Sequence, residues 1–342
     1  MRSLAILGSG MVTGVGLSAP ASCAAIRCAI DNFNETRFMD DSGEWIVGSE
    51  VPLDQPWRGF EKLVHMAVLA VKECLGHAAT ARPATIPLLL CVAEPTRPGR
   101  MSGLDGELLK RIEKELGVRF HPRSAVIARG RVSIAEALHV ASHQITAECP
   151  LCIIAGVDSF LSWPTLSVYQ SKSRLLTSKN SNGFIPGEAA AAILVGAPRP
   201  GVENLICAGI GAGHEPATVD SEEPLRADGM VEAFKQAMAD AGCTLADVDY
   251  RLVDVNGEQY GFKEAALAMT RTLRDRKELF EIWHPTDCIG EAGAAIGPAI
   301  LAIALAASRK GYAPGPGALC HFAADSHDRA ALVLRYARAR SN

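Results

Sequence analysis

Three local groupings hold residue types that could do chemistry. Cys149 and Cys152 stand in a C-x-x-C spacing, which can hold zinc or cycle between dithiol and disulfide. His139 and His143 are four residues apart with Glu136 on the same side, so one helix face could offer two imidazoles and a carboxylate to a metal. The third grouping is G-S-G-M-V-T-G from Gly8, a glycine-rich turn after an apolar strand, as in dinucleotide sites. Their surroundings favour plainer readings. No second cysteine or histidine pair stands at zinc spacing from Cys149 and Cys152, so both read as small apolar residues entering a strand. His139 and His143 read as the polar edge of a helix, at a subunit contact. The glycine-rich turn lacks the acid that ends a second strand roughly twenty residues on in dinucleotide folds. No metal and no cofactor is expected.

Strands and helices alternate along the whole chain. Apolar strands are expected at Leu4–Ser9, Pro87–Val92, Ala125–Ala128, Leu151–Val157 and Ala189–Val195. Helices are expected near Ala21–Ile30 and at Phe60–Leu75, Leu104–Leu116 and Val132–Ile145. In Phe60–Leu75, Leu63, Ala67, Ala70, Val71 and Cys74 share one stripe at the helical period. Then A-P-R-P-G, Ala197 to Gly201, interrupts the pattern, and it begins again. The second pass has strands at Leu205–Gly211, Arg251–Val255, Leu279–Trp283, Ala318–Phe322 and Ala330–Leu334. Its helices lie at Met230–Ala241, Phe262–Arg274 and from Ala292. Such alternation predicts mostly parallel sheets covered by helices, and two passes predict an internal duplication. The expected halves are residues 1–197 and 202–342.

Composition narrows the partners. The chain has 342 residues, with 34 lysines and arginines against 38 acids and a net charge of −4. A nucleic-acid or anionic-membrane partner would call for a basic excess, so neither is expected. The ten cysteines are scattered through apolar runs, which fits free thiols in a reducing compartment. Gly8, Ser9 and Gly10 break the first apolar run too early for a secretory leader. Ala292 to Ala307 has no charge, but it carries Pro298 and many small residues and reads as a helix buried between sheets. A soluble, cytoplasmic protein is expected.

Several strings narrow the fold further. A-I-L-G-S-G-M-V-T-G-V-G from Ala5 resembles the opening strand and turn of β-ketoacyl synthases. I-I-A-G-V-D-S from Ile153 resembles their strand ending in a Gly-x-x-Ser turn, and N-G-F-I-P-G-E-A-A-A-A-I-L-V from Asn182 resembles their D-G-F-x-x-G-E-G-A segment. C-I-G-E-A-G-A-A-I-G, Cys288 to Gly297, is similar to the Gly-His segment that heads their second buried helix. The resemblance runs in order through nearly the whole chain. It implies an α/β thiolase-like fold: two duplicated βαβαβαββ halves in five αβαβα layers, paired as a dimer through the region of Val126, Ile153, Ile154 and Ala155.

The family works with a cysteine that takes the acyl chain as a thioester and two histidines that support decarboxylation. Carried onto this sequence, the cysteine position falls on Ile127 and the first histidine on Asn256. The second histidine falls on Glu291, and the family lysine on Thr286. The glycine-rich stretch near the C-terminus falls on Ala323 to Arg329, A-A-D-S-H-D-R. The resemblance therefore implies a catalytically degenerate member. Arg129 and Arg131 flank the lost nucleophile, and Glu291 is expected to face one of them across the former cleft. Cys288, three residues before Glu291, is an outside candidate for a relocated nucleophile; filling a packed loop is the plainer role. Ser124 and Ser133 lie near the lost cysteine with no histidine evident. His284, His321 and His327 fall near motif positions of the second half.

Two readings of function follow. In the first, the chain keeps the fold for binding, as do the chain-length factors that pair with a true synthase, or the short synthase-like proteins of type VI secretion effector loci. A homodimer, an effector or a true synthase would then be partners, with acyl-CoA or acyl carrier protein as further candidates. In the second, it is an acyltransferase or thioester hydrolase with a relocated site near Cys288 and Glu291. The connections Val51–Trp57 and Lys172–Asn182 look trimmed, which implies a shallow or filled acyl tunnel.

Overall fold

The computed structural model describes residues 2–78 and 81–337. Its first half runs β1 (Leu4–Thr13), α1 (Ala19–Arg27), β2 (Asn34–Met39), β3 (Trp45–Gly48), α2 (Gly59–Gly76) and β4 (Leu88–Cys91). It continues with α3 (Leu108–Leu116), β5 (Ala125–Ile127), α4 (Ser133–Gln144), β6 (Leu151–Ser159), α5 (Trp163–Ser171) and β7 (Glu188–Gly196). The second half runs β8 (Asn204–His214), α6 (Asp228–Ala241), β9 (Tyr250–Val253), α7 (Gln259–Thr272) and β10 (Ile282–Trp283). It ends with α8 (Thr286–Ile289), α9 (Ile296–Lys310), β11 (Gly317–Ala323) and β12 (Asp328–Ala337). A-P-R-P-G lies in the connection between β7 and β8.

The strand order is β10-β9-β11-β12-β8-β1-β7-β6-β4-β5. With the separate β2–β3 hairpin left out, each half repeats one order outward from the junction: first strand, fifth, fourth, second, third. In both halves the outer three strands are parallel and the inner pairings antiparallel. The duplication read from the alternation is therefore present in the topology. Two separate sheets were expected, but β1 and β8 join them through three antiparallel residue pairs, Leu4–Cys207 to Ile6–Leu205. Each is the first strand of its half and would otherwise leave an open edge, which pairing removes.

Five layers follow from where the helices pack. One outer layer, α2 and α3, covers the first-half strands in a core with Leu90, Ile153 and Leu194. The other, α6 and α7, covers the second-half strands with Leu319 and Val333. Between the sheets, α4 and α9 share a core with strands of both halves. A helix covered on every side must be apolar all round, and α9 is: Ile296, Ile300, Leu301 and Leu305 are all at most 2% exposed. Burying each contributes about 1.5–3 kcal/mol. So the long apolar segment is a core helix, as its small residues indicated. The central pair meets at Gly297, where a Cβ would lie only 2.5 Å from that of Ile134. Gly211 does the same for α6, since a Cβ there would stand 2.0 Å from the Ala233 carbonyl oxygen.

Some elements differ from expectation. The β2–β3 hairpin and α5 were not anticipated; most of β2 is exposed, so it carries no buried alternation to read. The strand expected at Leu279–Trp283 shrinks to two residues, and α8 follows at once. The helix expected from Ala292 opens as a short tight turn at Gly293–Ala295 before α9.

Candidate functional site

Ile127 ends β5 and is 6% exposed within the central core. Its carbonyl accepts from Ser133 Oγ at 3.2 Å, and that hydroxyl accepts from the Arg129 N–H at 3.0 Å. Ser133 thus ties the β5–α4 turn rather than presenting a nucleophile. Gly130 in this turn has φ +56, and a Cβ there would strike Glu94 Oε2 at 2.1 Å. Asn256 follows β9, and Glu291 follows α8. Glu291 is fixed by backbone bonds to the N-G-F-I-P-G-E segment: its N–H donates to Ile185 O at 2.8 Å, and its carbonyl accepts from Gly187 N at 3.0 Å.

Glu291 is 2% exposed, and its carboxylate is fully engaged. Asn256 Nδ2 donates to Oε2 at 2.7 Å, Arg131 Nη1 to the same oxygen at 3.2 Å, and the Gly293 N–H to Oε1 at 2.9 Å. Of the two flanking arginines, Arg131 crosses the cleft. Arg129 turns outward, 3.4 Å from Glu136 and 2.9 Å from Asp328.

Around this contact lies a network that sequence reasoning did not anticipate. Arg174 donates to both Glu258 oxygens at 2.7 Å, a bidentate pair, and reaches Asp325 at 2.7 and 3.1 Å. Arg131 also binds Asp325 at 2.5 Å, and Tyr169 Oη donates to Asp325 at 3.0 Å. Arg97 pairs with Glu94 at 2.8 Å and Asp158 at 3.3 Å while lying 4.2 Å over the Phe160 ring. Asp158 in turn accepts the Ala294 N–H at 2.9 Å, bonding β6 to the turn that opens α9. Arg329 pairs with Glu264 at 2.7 Å and donates to the carbonyls of Ala324, Ser326 and Asp328, fixing the loop that delivers Asp325. Asp325 sits in the stretch Ala323 to Arg329, so a charge where the resemblance leads one to expect glycine was the available signal for it.

These ion pairs fill the cleft. One remaining void, lined by Arg97, Tyr169, Asn256, Glu291 and Asp325 among others, holds about 10 Å³. A second, reaching Asp254, Glu264 and His321, holds about 30 Å³. A single water needs about 10–15 Å³. Among the described residues, no cysteine, serine, threonine or lysine lines either void. Burial pushes Asp254 up to about 7 against the pull of Arg131. Burial, with Arg251 nearby, pushes His321 down to about 3, so its imidazole is neutral. Its Nε2 has no hydrogen-bond partner among the described residues, and the ring packs on Phe234. Burial alone would raise Asp325, but Arg131 and Arg174 hold it well below the usual carboxylate range.

The remaining candidates lie elsewhere. Cys288 lines a different pocket from Glu291, and burial pushes its thiol up to about 11, the opposite of an activated nucleophile. His284 lines that same pocket, with Nδ1 2.9 Å from Asp287. His327 stacks on His214 and bonds Glu215 O at 2.7 Å. Ser124 is tied to His121 O and the Leu88 N–H. Thr286 donates its hydroxyl to Val255 O. His139 and His143 meet edge to face at 4.8 Å, while Glu136 is paired with Arg129. Cys149 lies just before β6 and Cys152 within it, and all ten cysteines are free thiols.

No family model matches the sequence, and no curated protein matches it significantly. Solved structures do. A complex of a ketosynthase with its chain length factor from Xenorhabdus doucetiae matches with TM-score 0.77 at 13% identity, over 98% of each chain. A ketosynthase domain for oxazolomycin from Streptomyces albus matches at TM-score 0.78 and 15% identity, over all of this chain and 76% of its own. A β-ketoacyl synthase from Burkholderia phymatum matches at TM-score 0.72 and 16% identity, over 99% and 100%. The chain therefore has the thiolase-like α/β fold of these ketosynthases.

Proposed function

We propose that this chain is a non-catalytic protein of ketosynthase fold that acts by binding another protein. The observation that carries this reading is the cleft itself. An isoleucine, Ile127, stands at the position of the nucleophile, and the space before it is occupied by neutralised ion pairs centred on Arg131, Arg174 and Asp325. Such a cleft offers neither a thiolate nor room for an acyl chain. The X. doucetiae neighbour, in which a ketosynthase is held by a chain length factor, supports a partner of protein kind. A true synthase and an effector of a type VI secretion locus are the two candidates carried from the sequence. Self-association is part of the proposal: β5 is an edge strand whose outer side is unpaired among the described residues.

The test is intact-mass spectrometry after incubation with acetyl- and malonyl-CoA, together with a decarboxylation assay. The expected outcome is no adduct and no carbon dioxide release, for the parent and for Ile127→Cys alike. The variant fails because Asn256 is neutral and Glu291 supplies no imidazole. An acyl adduct on Cys288 would replace this reading with the relocated-site acyltransferase.

A further inference from the structure

We propose that a pocket between α1 and the β10–α8 connection binds a small, flat, apolar carboxylate. The pocket encloses about 400 Å³, within the range of small-molecule sites, and shares no lining residue with the ionic cleft. Its floor is apolar: Leu252, Ile303 and the thiols of Cys23 and Cys288 are each at most 5% exposed. Burial pushes both thiols up, to about 12 and about 11, so the floor carries no charge. The wall is aromatic. Trp283 and Tyr312 stack at 6.2 Å with 29° between their planes, and Trp283 is backed by Tyr250 at 4.9 Å. A flat ring therefore finds a wall already set for offset stacking.

The cation comes from Arg27, the last residue of α1. Its guanidinium lies 4.1 Å over the Tyr312 ring and forms no ion pair with any described residue. An arginine laid flat on a ring keeps its N–H edge free, and that edge matches a carboxylate. Two acids stand nearby, and neither pairs with it: Asp287 also lines the pocket, but its side chain is 63% exposed to solvent and lies 2.9 Å from His284, and Asp31 is exposed. Arg27 is thus the unpaired cation at the pocket, beside an apolar floor and an aromatic wall.

The probes are 2-naphthoate, neutral 2-naphthol and 2-naphthylmethylamine, titrated calorimetrically into the full chain. Naphthoate is expected to bind at one saturable site, more tightly than the amine. Arg27→Ala, at an exposed position, is expected to weaken naphthoate at least tenfold and leave naphthol unchanged. Trp283→Leu, checked for folding by circular dichroism, should weaken both. The proposal is overturned if naphthoate shows no saturable binding at millimolar concentration, if Arg27→Ala binds it as the parent does, or if the amine binds more tightly. These outcomes are independent of acyl adducts and partner binding, so failure here leaves the function proposed above standing.

Discussion

Glu291 holds a structural position, buried and bonded at both carboxylate oxygens. Its three donors satisfy both oxygens, so each group's cost of removal depends on what it leaves behind. Glu291→Gln keeps the shape and forfeits one hydrogen bond, a loss of about 1–3 kcal/mol. Arg131→Ala leaves Glu291, Asp325 and Asp254 without their shared cation and should cost about 3–5 kcal/mol. Urea denaturation of the two variants checks the order; a larger loss in the glutamine variant would contradict it. Asp254 and His321 add a pH signature. Asp254 ionises near 3.8 when unfolded and near about 7 when folded, so in that window the native state holds a proton the unfolded state has released. Its contribution to stability falls as pH rises through the window and is fully lost above it. His321 does the reverse: the unfolded chain takes a proton below about 6.5 that the folded chain refuses until about 3, so acid destabilises. Asp254→Asn should therefore raise Tm relative to the parent more at pH 8 than at pH 4.5, and a pH-independent difference would refute the assignment. Ile127, Asn256 and Glu291 were legible as candidate positions because each lies within a local string. The Arg174–Asp325 pair was not, since its partners are 151 residues apart and only folding joins them.

At the scale of elements, β5 is one of the two edge strands of the large sheet, with β10 at the other end. The residues proposed from sequence for a subunit contact divide there. Ile153, Ile154 and Ala155 are at most 2% exposed because helices cover both faces of β6, α2 and α3 on one side and α4 and α9 on the other, so they cannot face a partner. Val126, on β5, is only partly buried and remains available. Light scattering at micromolar concentration should give a dimer for the parent and a monomer for Val126→Asp, whose charge would be desolvated in a paired edge. A parent that runs as a monomer, or a dimer that ignores the substitution, would remove β5 from the interface.

The whole molecule is two copies of one topology sharing a core. Ile134 and Leu138 of α4 and Ile300 and Leu301 of α9 belong to one cluster that also takes Ile154 from the first half and Leu332 from the second. Neither half can bury its central helix alone, so residues 1–197 and 202–342 produced separately should each lack a cooperative thermal transition. Mixed, they should recover one. A cooperative transition in either half by itself would show that the division cuts between independent domains.

The sequence alone determined the alternation, the repeat and the small-residue central helices. Periodicity is a local property, written in neighbouring residues. The closure of the cleft was decided only in three dimensions. Arg97, Arg131, Arg174, Asp158, Glu258 and Asp325 come from segments far apart in the chain, and they form ion pairs only because the layers bring them within hydrogen-bonding distance. The separation of Cys288 from Glu291 belongs to the same class. Three residues apart in sequence, they line different cavities because α8 and the turn after it send their side chains different ways.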